Sequence, residues 1–336
     1  MTSHSVVIAW RTFEPDNSEV VFARGSEQTA MEPPENPTSM YHAVHLQNLS
    51  SGTVYRYQIQ NAGKPLTPWI SFKTFPESAT APFSFVALGD SGTASTDQKE
   101  IAARITQVHP DLVIHTGDVI YGGKSDADFD QKFFSIYRNL LREIPFFLTL
   151  GNHDVDVHNG EPYLQNFYLP QNSPDKGRYY SFDCGEAHFI SLNSNASFDH
   201  KSLQYQWLKN DLAGTKKPLK IVFFHHPLYS SGYHGSSMRW REDLKPLFEK
   251  DQVTLVFNGH DHDYERTKPI HGITYVVTGG GGAPLYPALG SSWTADTQTT
   301  YNFVYVQVFR NAIHLETIDE SGNILDHANL NVQDTH

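Results

Sequence analysis

From residue 89 onward, short polar motifs recur, and each holds a side chain able to bind a cation. They are Gly89-Asp90-Ser91-Gly92, Gly117-Asp118-Val119-Ile120-Tyr121, Gly151-Asn152-His153-Asp154, His225-His226-Pro227 and Gly259-His260-Asp261-His262. Asp90, Asp118, Tyr121, Asn152, His225, His260 and His262 together offer carboxylate, phenolate, amide oxygen and imidazole. That mixture suits hard or borderline cations such as iron, manganese and zinc. The single cysteine, Cys184, excludes a multi-thiolate centre and an internal disulfide and reads as a small buried filler. These ligands are more than one tetrahedral or octahedral ion needs. Two ions roughly 3.5–4 Å apart require a bridging group, and the two carboxylate oxygens of Asp118 make it the candidate. His260 and His262 are separated by one residue, a spacing that in a turn eased by Gly259 can aim two imidazoles at adjacent ions.

Taken singly, each of these residues has a duller explanation. Asp90 and Asp118 fit turns or helix caps, Asn152 fits a left-handed turn position, Tyr121 a half-buried loop aromatic, and His225 or His260 a hydrogen-bonded strand end. Their recurrence, in order, at successive strand ends is what argues for a site. His226 adjoins His225, and neighbours on a strand face opposite sides, so it is assigned a packing or outer-shell role. His115 reads as a satisfied core histidine. The run Gly279–Gly282 lacks the following helix of a phosphate cradle and reads as a loop near the site.

The elements that must position these side chains are legible around them. The motifs follow the apolar runs FSFVAL, DLVIHT, FFLTL, KIVFF and VTLVF, and in open α/β sheets ligands bind at the carboxyl ends of strands. Between the runs lie helical patterns, DQKEIAARITQV, DFDQKFFSIYRNLLREI, QYQWLKNDL and EDLKPLFEK, and the tail is strand-like in ITYVV, NFVYVQVF and AIHLETID. This predicts an α/β domain over residues 79–336. Residues 1–78 contain the short β-rich runs SVVIAW, SEVVFA, YHAVHL, VYRYQIQ and WISFKTF, which predict a small antiparallel sandwich ending in the stretch PESATAP.

Composition sets outer bounds. With 39% hydrophobic and 18% charged residues the chain can build packed cores and is no disordered segment. A formal net charge of −12 opposes attraction to nucleic acid, so no nucleic-acid partner is expected and an acidic substrate would need capture by local cations. No apolar run approaches the ~18 residues of a membrane span, and the opening MTSHSVVIAW shows no signal peptide.

The set GDSG, GDVIY, GNHD, VFFH and GHDH, in this order, resembles the calcineurin-like metallophosphoesterase family over the whole α/β part. The tyrosine three residues after the second aspartate resembles that of the purple acid phosphatases, and the N-terminal segment resembles their fibronectin type III-like domain. The resemblance implies a metallophosphatase-type α/β/β/α sandwich preceded by a small all-β sandwich. It implies Fe(III) on Asp90, Asp118, Tyr121 and His262, and a divalent ion (iron, zinc or manganese) on Asp118, Asn152, His225 and His260. His153 and His234 are similar to outer histidines that face the substrate phosphate. The activity expected from the resemblance is acid phosphatase-type hydrolysis of small phosphomonoesters by a metal-bound hydroxide. A phosphodiesterase or nucleotide hydrolase using the same ions is the near alternative. An adhesion or binding module with an inactive phosphatase body is the alternative of another class. A secreted or periplasmic setting is also implied.

Overall fold

The computed structural model of the protein describes residues 1–25, 27–33, 39–77, 81–310 and 312–331. In the N-terminal part, Val6–Arg11 pairs antiparallel with Tyr41–Leu46. A second antiparallel sheet is built on Val54–Asn61, which takes Glu19–Arg24 on one edge and Lys64–Pro65 and Ile70–Lys73 on the other; Glu27–Glu32 extends it. The inward faces of the two sheets meet in a core that includes Val6, Ile8, Val44, Phe22, Tyr57 and Phe72, so this is the expected small sandwich. The boundary expected between 78 and 79 falls on residues 78–80, outside the described ones.

The remainder is two sheets packed face to face. The six-stranded sheet has the order Phe146–Leu148, Leu112–His115, Phe83–Leu88, Asn302–Val308, Ala312–Asp319, Ile324–Asn331, and its first three strands run parallel. The seven-stranded sheet has the order Tyr180–Cys184, Ala187–Ser191, Leu219–Phe223, Leu255–Asn258, Thr274–Thr278, Tyr264–Thr267, Thr294–Gln298, with a parallel centre. Strand alternation divides the side chains between two cores. Phe189, Ile221, Phe223 and Phe257 point into the layer shared with Phe85, Val304 and Val306. Ile190, Val222 and Val256 point the other way, against Leu208, Leu212, Leu244 and Phe248 of the helices Leu203–Gly214 and Met238–Lys250. On the outer face of the six-stranded sheet lie the helices Thr96–Val108 and Ser135–Glu143, whose Ile101, Ile105, Tyr137 and Leu140 join the first core. The architecture is the expected α/β/β/α sandwich. Strands buried on both faces read as continuous apolar runs, which is why they were visible in the sequence. Among the described residues, no helix is long and apolar enough to cross a membrane.

A buried imidazole flanked by two carboxylates, one of them exposed, ties the edge of the seven-stranded sheet to its covering helix. His188 Nδ1 lies 2.6 Å from Asp183 Oδ1, and Nε2 lies 2.8 Å from Asp211 Oδ2. Burial disfavours the charged imidazole, yet hydrogen bonds to the two carboxylates outweigh it and push the pKa up to about 9. A folded-state pKa above the unfolded value contributes stability that is complete below the unfolded pKa of ~6.5 and is lost as pH rises through about 9. The contribution is on the order of 2–3 kcal/mol. Chemical denaturation at pH 6 and at pH 10 should show that loss, and His188→Asn should flatten the profile over this window. An unchanged slope in His188→Asn would remove the ion pair from the account.

Candidate metal centre

The strands of the two sheets deliver the motif residues to one end of the layer. Asp90 lies two residues beyond Phe83–Leu88, Asp118 three beyond Leu112–His115, Asn152 four beyond Phe146–Leu148, His225 two beyond Leu219–Phe223, and His260 two beyond Leu255–Asn258. The turns are tight. A Cβ on Gly151 would lie 2.0 Å from Asp118 Oδ1, and one on Gly259 would lie 2.3 Å from Asp90 Oδ2. Asp90, Asp118 and His260 adopt left-handed backbone, with φ of 57°, 51° and 73°. Such strain in non-glycine residues gathers where a side chain must be aimed.

Two groups of side chains form, with Asp118 between them. In the first, the Tyr121 hydroxyl is 3.1 Å from Asp90 Oδ1 and 3.0 Å from His262 Nε2, and that nitrogen is 3.4 Å from Asp90 Oδ1. His262 Nδ1 donates to the Pro284 carbonyl at 2.7 Å, which leaves the Nε2 lone pair facing inward. In the second, His225 Nε2 is 2.9 Å from Asn152 Oδ1, 3.2 Å from His260 Nδ1 and 3.4 Å from Asp118 Oδ2. His225 Nδ1 donates to the Thr116 carbonyl at 3.0 Å, so its Nε2 is the inward nitrogen too. Asp118 Oδ1 accepts the His153 amide at 2.8 Å, which holds the carboxylate across the gap. Carboxylate oxygens of Asp90 and Asp118 and a nitrogen of His225 all lie within 4.8 Å of one another.

The electrostatics are those of a site that wants positive charge. Asn152 Oδ1, Asp118 Oδ2 and the inward nitrogen of neutral His225 are all acceptors, and acceptors at these separations repel unless a proton or a cation sits between them. Burial alone would lower the His225 pKa, but Asp118 and Asp90 raise it to about 9. Burial together with the Asp90 and Asp118 carboxylates pushes the Tyr121 phenol well above its ordinary value, so a phenolate there needs a strongly charged partner. Asp154, buried beneath the site, accepts the Val119 amide at 3.0 Å and the Gly151 amide at 2.8 Å, and so clamps the turns carrying Asp118 and Asn152 together.

The substrate-side candidates lie at the rim. His153 is 3.1 Å from Asp156 through Nδ1, and its ring lies 4.8 Å from that of Tyr121. His234 stacks on His260 at 4.2 Å, and its backbone N–H donates to Asp261 Oδ1 at 2.6 Å, which holds its loop. His115 is buried, 2.9 Å from Ser91 Oγ, and accepts the Gly117 amide. The Gly279–Gly282 loop packs under the centre, with Gly281 and Ala283 donating to the Gly89 and Asp90 carbonyls. His226 takes the packing or outer-shell position expected of it, but not for the reason of opposite strand faces. Its ring lies 5.0 Å from that of His225 and 4.4 Å from that of His260, on the same side of the chain. The strand ends at Phe223, so strand alternation does not govern the pair. Asp154 and Asp261 stand inside the Gly151–Asp154 and Gly259–His262 motifs, but their residue types alone give no sign of these structural roles.

Residues 83–264 match the family profile described as calcineurin-like phosphoesterase. The chain belongs to that family. Residues 1–74 match the purple acid phosphatase N-terminal domain. Among curated relatives, purple acid phosphatase 15 of Arabidopsis thaliana is 28% identical over 291 residues, covering 73% of this chain and 54% of the relative. Probable inactive purple acid phosphatase 9 of the same plant is 26% identical over 284 residues, covering 69% of this chain and 43% of the relative. The chain thus spans about half the length of these relatives. The solved structure of a purple acid phosphatase from yellow lupin (Lupinus luteus) seeds superposes with a TM-score of 0.88 at 20% identity, covering 98% of this chain and 72% of that one. At that identity the likeness concerns the fold. A binuclear metal centre is the family's implication, and the donor set fits it: oxygen and nitrogen ligands in two groups that share one carboxylate.

Proposed function

We propose that the centre hydrolyses small phosphomonoesters with two cations. Asp90, Asp118, Tyr121 and His262 would hold the first, taken as ferric iron, and Asp118, Asn152, His225 and His260 the second, taken as divalent iron, zinc or manganese. The observation that carries this reading is the convergence of acceptors on either side of Asp118, which calls for cations on both sides. When bound, the ions would supply Lewis acidity to phosphate oxygens and ease deprotonation of a water.

The chain's own residues supply the rest. The Pro284 and Thr116 carbonyls fix the tautomers of His262 and His225, so both present lone pairs without rearrangement. Water attacks phosphorus in line with the ester oxygen; the new P–O bond forms as the old one breaks. His153 and His234 hydrogen-bond the phosphate and donate a proton to the departing alkoxide. The assay that tests this is turnover of a monoester and its matching diester by protein shown by elemental analysis to hold two ions. Turnover of the diester alone would replace the proposal with a phosphodiesterase, and turnover of neither would leave the inactive-body alternative standing. A secreted or periplasmic setting belongs to the same proposal.

Tyr121 gives an optical test. A phenolate on ferric iron should produce a visible charge-transfer band and a pink to purple sample. Tyr121→Phe should abolish the band while iron stays bound through the remaining ligands. Survival of the band in that variant, or its absence from wild-type protein shown to contain ferric iron, would overturn the assignment of Tyr121.

A further inference from the structure

His226 has no role in the scheme above, yet it sits against the second group of ligands. Its ring is enclosed by His260 at 4.4 Å, Trp240 at 4.8 Å and His225 at 5.0 Å, and one of its ring nitrogens lies within 4.8 Å of a nitrogen on each of His225 and His260. Whereas His225 is fully buried, His226 is only half-buried beside the same ligands.

Ser194 decides which chemistry that ring presents. Its buried hydroxyl accepts the His226 backbone amide at 3.1 Å and lies 2.8 Å from His226 Nδ1. The hydroxyl already accepts the His226 amide, and Nδ1 lies within reach of its proton, so the arrangement that uses that proton has Ser194 donating to Nδ1. A neutral imidazole accepting at Nδ1 carries its own proton on Nε2. His226 therefore offers its surroundings a donor and no inward lone pair, unlike His225 and His262, whose outer nitrogens donate to carbonyls.

We propose that His226 is a third substrate-facing imidazole, donating from Nε2 to a non-bridging oxygen of the phosphate ester at the centre, with Ser194 as the residue that positions it. The inference rests on the two-cation phosphatase reading.

The test compares inorganic phosphate affinity, by calorimetry, across protein variants verified to hold both cations. An asparagine at 226 can satisfy Ser194 but falls short of the Nε2 position, whereas a glutamine carries an N–H donor out to it. His226→Asn should weaken phosphate binding roughly 10–100-fold, as expected for losing a hydrogen bond to a charged group, while both ions stay bound. His226→Gln should restore most of the affinity. Ser194→Ala, which releases the tautomer, should weaken binding about threefold to tenfold and add little on top of His226→Asn. Wild-type affinity in His226→Asn would overturn the proposal, as would rescue by asparagine in preference to glutamine. Loss of one ion from His226→Asn would make the residue a ligand and overturn it likewise. If wild-type protein with both ions fails to bind phosphate, the phosphatase reading itself falls and takes this inference with it.

Discussion

An Asp118→Ala variant is expected to hold neither cation after a chelating wash, and to lose phosphate-ester hydrolysis by roughly 10³–10⁵-fold, the scale of several kcal/mol of transition-state charge stabilisation. On the proposed assignment, Asp118 is the carboxylate shared by the two ligand groups. Oδ2 faces His225 Nε2 at 3.4 Å, and Asp118 lies within the same 4.8 Å cluster as Asp90. If both cations depend on it, removing it would take a ligand from both positions at once. Alanine at a φ of 51° adds backbone strain on the order of 1 kcal/mol, so unfolding must be separated from metal loss. Asp118→Asn answers that. Asparagine tolerates the left-handed region and keeps the volume, but its neutral amide has one coordinating oxygen and cannot bridge. Both variants should stay folded by circular dichroism and lack both ions by elemental analysis. Two retained ions in Asp118→Asn would refute the bridging assignment.

How far the sequence could carry this reading depended on burial. The strands that deliver the site are enclosed on both faces and appear as unbroken apolar runs, so their ends, and hence the motif residues, could be placed from the sequence. Strands of the sheet margins were another matter. Tyr264–Thr267 (YERT) and Thr294–Gln298 (TADTQ) close one edge of the seven-stranded sheet, and Glu27–Glu32 (EQTAME) extends the N-terminal one. Their polar composition hides them from a periodicity argument. The helix pattern at 128–144 also contains a wider π turn at Asp130–Phe134, a change of hydrogen-bond spacing that leaves no trace in residue type. At the site, residue identities were enough to propose ligands but not to aim them. The left-handed turns at Asp90, Asp118 and His260 and the tautomer-fixing carbonyls of Thr116 and Pro284 arise from tertiary approach. His226 shows the same limit from the other side. Strand alternation holds inside a strand, whereas this pair lies just past the strand's end, where the fold turns both rings toward the centre.

His153 and His234 should separate from the ligands in a leaving-group experiment. Neither imidazole belongs to the acceptor groups around Asp118, and the contacts that tie their segments to the centre run through backbone amides, His153 to Asp118 and His234 to Asp261. Alanine keeps those amides, so His153→Ala and His234→Ala should retain both ions. On the proposed scheme, what they lose is a proton donor beside the reacting phosphate. General acid help is worth ~10²–10⁴-fold, and it matters most when the leaving group is a poor one that must be protonated as it departs. On an alkyl phosphate, kcat should therefore fall by about that factor in the variant that removes the acid. On a nitrophenyl phosphate, whose phenolate departs unaided, the fall should be less than roughly tenfold, because only the hydrogen bond to phosphate is missing. The limb of the pH–rate profile set by the acid should change with the alkyl substrate and stay with the nitrophenyl one. If both substrates lose equally in both variants, the two histidines position phosphate and nothing more, and the proton must reach the leaving oxygen from another donor, for which the half-buried His226 would be the next residue to replace.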